Sequence, residues 1–107
     1  MKNTNKYGFI SGGYIFDLLD RAALEYINFC YPETEKQQIY TQWCEINFNK
    51  QLCQPNGIKV KTDKIEQRII GELWVVDNSL WQGNTVIAHA EWWFKKTKHN
   101  YCEQKEK

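Results

Sequence analysis

Between Gly13 and Cys30 the apolar residues Ile15, Leu18, Leu19, Ala22, Ala23, Tyr26 and Phe29 recur at intervals of three and four, the spacing that lines one face of an α-helix. Pro32 stops that helix, because proline lacks an N–H and disfavours helical geometry at the preceding Tyr31. Glu33 to Gln38 is polar and reads as a loop. After it the period falls to two: Tyr40, Cys44, Ile46 and Phe48 alternate with polar residues while Trp43 takes the other face, so Ile39 to Asn49 is expected to be a strand.

Gln54-Pro55-Asn56-Gly57 is a turn signal, proline fixing φ and Asn-Gly supplying positive-φ positions. Ile58 to Ile65 follows as a strand with its lysines outward, and Arg68 to Val76 as another, nearly apolar on both faces. Asp77-Asn78-Ser79 together with Gln82-Gly83-Asn84 is expected to form the next bend. Val86 to Lys96 closes the sheet, with Val86, Ala88, Ala90, Trp92 and Phe94 on one face and Ile87, His89, Glu91, Trp93 and Lys95 on the other. One helix followed by four strands in meander order is an α+β arrangement, the helix lying across one face of an antiparallel sheet. A sheet this apolar offers more surface than one helix covers. Self-association into a homodimer or homotetramer, through sheet edges or faces about a two-fold axis, is therefore expected.

Composition narrows the partners. The 107 residues suit one domain, expected over residues 1–97, with a charged tail over 98–107 expected to fray. With 14 basic and 13 acidic residues the formal charge is +1, and the lysines are scattered, so neither nucleic acid nor an anionic membrane surface is an expected partner. Cys30, Cys44, Cys53 and Cys102 form no CxxC pair and have no histidine at zinc-binding spacing, so no metal is expected and the thiols read as buried or idle. The N-terminal residues carry no apolar leader and no stretch reaches the ~20 apolar residues of a membrane span. A reducing cytoplasmic setting is expected.

Candidate chemistry concentrates at the start of the helix. The adjacent Gly12 and Gly13 stand just ahead of it, where free amide groups and the positive end of the helix dipole face outward. Such amides can stabilise charge developing on a carbonyl oxygen, or the glycines can simply make a tight turn. Asp20 comes two turns later, roughly 120° round from the centre of the apolar stripe and flanked by Phe16, Leu24 and Ile27. A carboxylate at a half-apolar boundary is poised to act as a base or nucleophile, or it can bridge to Arg21 or a lysine. Asp17, Arg21, Glu25 and Asn28 occupy the polar pole of the helix and read as solvated or paired.

The run Gly12-Gly13-Tyr14-Ile15-Phe16-Asp17-Leu18-Leu19-Asp20-Arg21-Ala22-Ala23 resembles the central-helix signature of hot-dog thioesterases, in which an acidic residue follows eight positions after the first glycine of the pair. Upstream, Thr4-Asn5 and Gly8-Phe9-Ile10-Ser11 are similar to the Asn-containing loop of the acyl-CoA thioester hydrolases of this fold. Glu45 to Lys50 and Val86 to Glu91 resemble the family's second and final strands, so the similarity runs from Thr4 to Lys96. The resemblance implies a hot-dog fold and hydrolysis of an acyl-CoA or acyl carrier protein thioester at a dimer interface, without a cofactor. It implies Asp20 as general base or nucleophile, Asn5 as the residue that positions water or the carbonyl, and the Gly13 amide as oxyanion donor. Ser11, Gly12 and Phe16 would line the substrate site, and Arg68 would bind substrate at the sheet edge. Ser11 stands where many relatives carry His, and with only Met1 to Thr4 ahead of the Asn loop the first edge strand of the family is expected to be short or missing, to be replaced by another segment, or to lie upstream of a late start.

Lys59, Lys61, Lys64 and Arg68 suit either contacts to CoA phosphates or a solvated strand face. His89, between Ile87 and Glu91 on its strand face, has no nucleophile motif near it and reads as a surface or structural histidine. A dehydratase of the same fold would need a paired His and acid, and neither His89 nor His99 is near the glycines in sequence. The alternative outside enzymology is a non-catalytic acyl-CoA binding module or degenerate hot-dog domain, motivated by Ser11 and the short N-terminus.

Overall fold

The computed structural model describes residues 10–97. The expected C-terminal tail and Asn5 lie outside them. Among the described residues helix α1 (Gly12–Cys30) comes first, followed by a 3₁₀ turn (Pro32–Glu35) and the strands β1 (Ile39–Phe48), β2 (Ile58–Ile69), β3 (Leu73–Gln82) and β4 (Thr85–Lys96). All neighbouring strands are antiparallel, and the sheet order is β1-β4-β3-β2. Only β2, β3 and β4 form a meander. The loop after β1 carries the chain to the far edge, so β1 pairs with the last strand and not with the next one.

The helix crosses the sheet with Ile15, Leu19, Ala23 and Ile27 buried. This stripe is rotated by roughly 60°, at 3.6 residues per turn, from the one that sequence spacing suggests. Tyr26 is 38% exposed and Phe29 80% exposed, while the side carrying Phe16, Asp20 and Leu24 turns toward the sheet. The apolar arc of α1 is wider than one sheet covers. The sequence places its centre correctly only to within one neighbouring row of side chains.

Facing α1 are Trp74, Val76, Asn78 and Leu80 of β3 and Ala88, Ala90, Trp92 and Phe94 of β4, each at most 1% exposed. The even-numbered face of β4 is thus the one that meets the helix. Ile87 departs from strict alternation: the register slips between Leu80 and Trp81, and Ile87 joins the core. A second slip, between Thr41 and Trp43, puts Thr41 opposite Phe94 on the helix side and turns Tyr40 outward opposite Lys95. The odd-even reading that grouped Tyr40 with Cys44 and Ile46 is corrected by that one extra residue.

Two further corrections concern β2 and β3. The expected strand from Arg68 to Val76 is broken by a turn at Gly71, whose φ is +73°, and Glu66 to Ile69 instead continue β2. Asp77-Asn78-Ser79 is not a bend but the middle of β3, and the hairpin to β4 turns on Gly83 and Asn84 alone, with Gln82 paired to Thr85. The turn propensity of these polar residues is overridden by tertiary partners. Buried Asn78 donates from Nδ2 to the Leu19 carbonyl (2.8 Å) and accepts on Oδ1 from Trp92 Nε1 (2.8 Å), satisfying three buried polar groups at the helix–sheet seam.

Candidate functional site

Ser11 is the N-cap of α1: its backbone is extended (φ −68°, ψ 147°) and its Oγ accepts from the Tyr14 amide at 3.2 Å. The Ile15 amide donates to the Ser11 carbonyl at 3.3 Å. Gly12 and Gly13 are therefore the first two residues of the helix and not a turn ahead of it. Helix geometry gives their amides no intrahelical acceptor, and the cap bonds the Tyr14 amide instead. Around Gly13 the described residues leave the space open, and a Cβ built there meets none of their atoms within 4 Å. At Gly12 the same atom would lie 3.3 Å from Cζ of Phe48, so the last residue of β1 lays its ring across the first turn.

Beside this turn is an open-mouthed cavity of about 180 Å³, lined by Ile10, Gly12, Ile15, Phe48, Lys50, Gln51 and Leu52. Its walls are tied together by backbone: the Ile10 amide donates to the Leu52 carbonyl (2.6 Å), and the Asn49 and Lys50 amides both donate to the Ile87 carbonyl (2.8 and 3.2 Å).

Asp20 faces β1. Its Oδ1 accepts from Thr41 Oγ1 at 2.9 Å, and its charge helps push the Cys44 thiol above the ordinary cysteine value, second to partial burial. A thiol held protonated in this way is a poor nucleophile, which leaves the carboxylate as the reactive candidate of the pair. Arg21 pairs with Asp17 and not with Asp20, and Thr41 takes the place of the expected cationic partner. Phe16, one turn before Asp20, meets Trp92 edge-on with ring centroids 5.1 Å apart. Sequence alternation could not single out Thr41, because only the slip beside Gln42 brings it to the helix side.

The chain thus gathers Ser11, Gly12, Gly13 and the cavity at one end of α1, with Phe16 and Asp20 further along the same helix. Seven residues at 1.5 Å each separate Gly13 from Asp20 by about 10 Å, too far for both to touch one carbonyl group. Arg68 lies on the opposite face of the sheet, its Nε donating to Glu66 Oε1 (2.8 Å) and its guanidinium over the Trp93 ring at 5.1 Å. His89 is exposed on that same outer face, beside Glu45, Asn47, Asp77 and Glu91. Among the described residues no group of three or more His, Cys, Asp or Glu is placed to hold a metal ion. Likewise no described helix is long and apolar enough to cross a membrane.

No family model matches the sequence, and no curated protein matches it either. Solved structures do match in fold. A probable thioesterase from Bartonella henselae is 18% identical, with 89% of this chain aligned to 80% of that one at a TM-score of 0.73. A predicted thioesterase from Bacillus stearothermophilus is 16% identical over 94% of this chain and 76% of that one, TM-score 0.76. A Bacillus halodurans protein solved with CoA is 19% identical over 92% and 62% of the two chains, TM-score 0.74. The single helix packed on a four-stranded antiparallel sheet is the hot-dog fold.

Proposed function

We propose that this chain is a thioester hydrolase that converts an acyl-CoA to the free acid and CoA, working as a homodimer or a pair of dimers. The observation that carries the reading is the open first turn of α1. A glycine in a helix costs stability relative to alanine, and at Gly13 no atom of the described residues fills the space gained. A substrate carbonyl approaching the Gly12 and Gly13 amides would use that space. The thioesterases and the CoA-bound protein that share the fold favour a thioester over other carbonyl compounds.

The chemistry needs few groups. Water adds to the thioester carbonyl, Asp20 takes a proton from it, and the amides at the helix start hold the negative oxygen of the tetrahedral intermediate. Collapse of the intermediate breaks the C–S bond and releases CoA thiolate, a good leaving group. Since Asp20 and Gly13 of one chain are about 10 Å apart along the helix, the base at each site would come from the partner copy across a two-fold axis. Thr41 is the positioning residue that fixes one carboxylate oxygen of Asp20. The apolar side chains of Tyr26 and Phe29 left outside by α1 supply surface for the association. Asn5, outside the described residues, is proposed to orient the water. Arg68 on edge strand β2 is proposed to meet CoA phosphates in place of Glu66.

The test is thiol release from a panel of acyl-CoA esters by native protein and Asp20→Asn, each confirmed as the same oligomer by size exclusion. Loss of turnover by roughly a hundredfold or more with the oligomer intact is expected. Equal turnover in the two proteins would sink the assignment of Asp20, and no hydrolysis by native protein would leave an acyl-CoA binding domain.

A further inference from the structure

We propose that Phe48 is the residue that limits acyl size, by closing the cavity beside the first turn of α1 so that it accepts a compact acyl group of up to about six carbons, straight or aromatic. The identity of the ligand rests on the thioesterase reading above; the size limit rests on the cavity itself. At about 180 Å³ the space is comparable with an engineered apolar cavity of roughly 150 Å³ that takes up benzene. Its interior is apolar, formed by Ile10, Ile15 and Leu52, which are 5%, 2% and 1% exposed. Lys50 and Gln51 supply the polar lining and are exposed. A hydrocarbon group matches such a wall, whereas a charged or hydroxyl-rich group would lose hydration without gaining partners.

Among the apolar walls Phe48 is the one that can vary. Ile10, Ile15 and Leu52 belong to the core, and enlarging the cavity at their expense would loosen the helix–sheet packing. Phe48 is 50% exposed and stands at the end of β1, its backbone fixed by the pairing with Ala88. Its ring reaches the first helical turn, 3.3 Å from where a Cβ on Gly12 would be. Gly12 is thus accounted for by Phe48, and the two together define where the cavity stops.

Binding of S-alkyl CoA thioethers, which cannot be hydrolysed, tests this without depending on turnover. Along the series from ethyl to hexadecyl, native protein is expected to bind about three- to fourfold more tightly per added methylene until roughly six carbons, then to level off. In Phe48→Ala, with native far-UV circular dichroism, the break should move to longer chains and decyl-CoA thioether should gain roughly tenfold in affinity; Phe48→Leu should fall between. Affinity that keeps rising to hexadecyl in native protein, a break unmoved in Phe48→Ala, or no binding of any thioether would overturn the proposal. The hydrolysis panel is run in parallel: a break at short chains without any thiol release would remove the hydrolase reading and leave the size limit standing.

Discussion

The middle of α1 and its first turn are built to opposite rules. At Leu19 the helix is sealed: the side chain is fully buried, the carbonyl accepts from Asn78, and Asn78 in turn holds the indole of Trp92. At Gly13, six residues earlier in the same helix, there is no side chain and a Cβ would have no neighbour among the described residues. A chain selected only for stability would fill the second place as it fills the first. The contrast separates residues that hold the fold together from those that leave room for something outside the chain, and it is the reason that the helix start, rather than the better-packed centre, is taken as the working end.

The largest effect should come from the sealed middle. Asn78→Ala removes two buried hydrogen bonds, strands the Trp92 N–H and opens a cavity, at a cost of about 3 kcal/mol, read as a lower urea midpoint with unchanged slope. A loss below about 1 kcal/mol would mean that the seam is not sealed in this way. Smaller, and opposite in sign, is Gly13→Ala: about 0.5 kcal/mol of added stability from helix propensity, together with a drop of roughly tenfold or more in kcat/KM if a carbonyl approaches there. If stability falls instead, a contact fills the space and the contrast collapses.

The smallest effect is expected one residue from Asn78, on the other face of the sheet. Asp77 has a buried Oδ1 with no hydrogen-bond partner among the described residues, and desolvation, followed by the nearby charge of Glu91, raises its pKa above the ordinary aspartate value, with Lys64 and His89 opposing. A raised pKa in the folded state means that the stabilising contribution of the protonated form is complete below the unfolded value and is lost as pH rises through the folded one. Asp77→Asn should therefore raise Tm slightly at neutral pH and not at about pH 3, flattening the slope between. A Tm difference independent of pH would rule out the carboxyl group as its source.

Much of the architecture was legible in periodicity. The switch from a three-to-four spacing to a spacing of two locates the helix and its boundary with the sheet, and Pro55-Asn56-Gly57 and Gly83-Asn84 mark turns that the structure keeps. The helix-facing row of β4 was visible as one of two alternatives, which burial decides. Bulges were not legible, because one extra residue changes every facing direction beyond it and leaves little trace in composition. Lys61 and Lys64 share the outer face only because the register of β2 slips between Thr62 and Lys64.

The candidate site divides in the same way. The spacing of Gly12, Gly13 and Asp20 is a property of the sequence, and the helix makes it a distance. Thr41 at Asp20 and Phe48 at Gly12 are not, since each lies more than twenty positions from its partner in sequence and meets it only when β1 docks on α1. What the sequence determined by itself is local: which stretches are helix or strand, and which side chains lie near one another along the helix, because those depend on bonds and periods within a few residues. What the tertiary structure alone decided is strand order, the rotation of α1, and the partners of Asn78, Asp20 and Gly12. Those depend on where separate elements meet, and the packing of side chains between elements sets that.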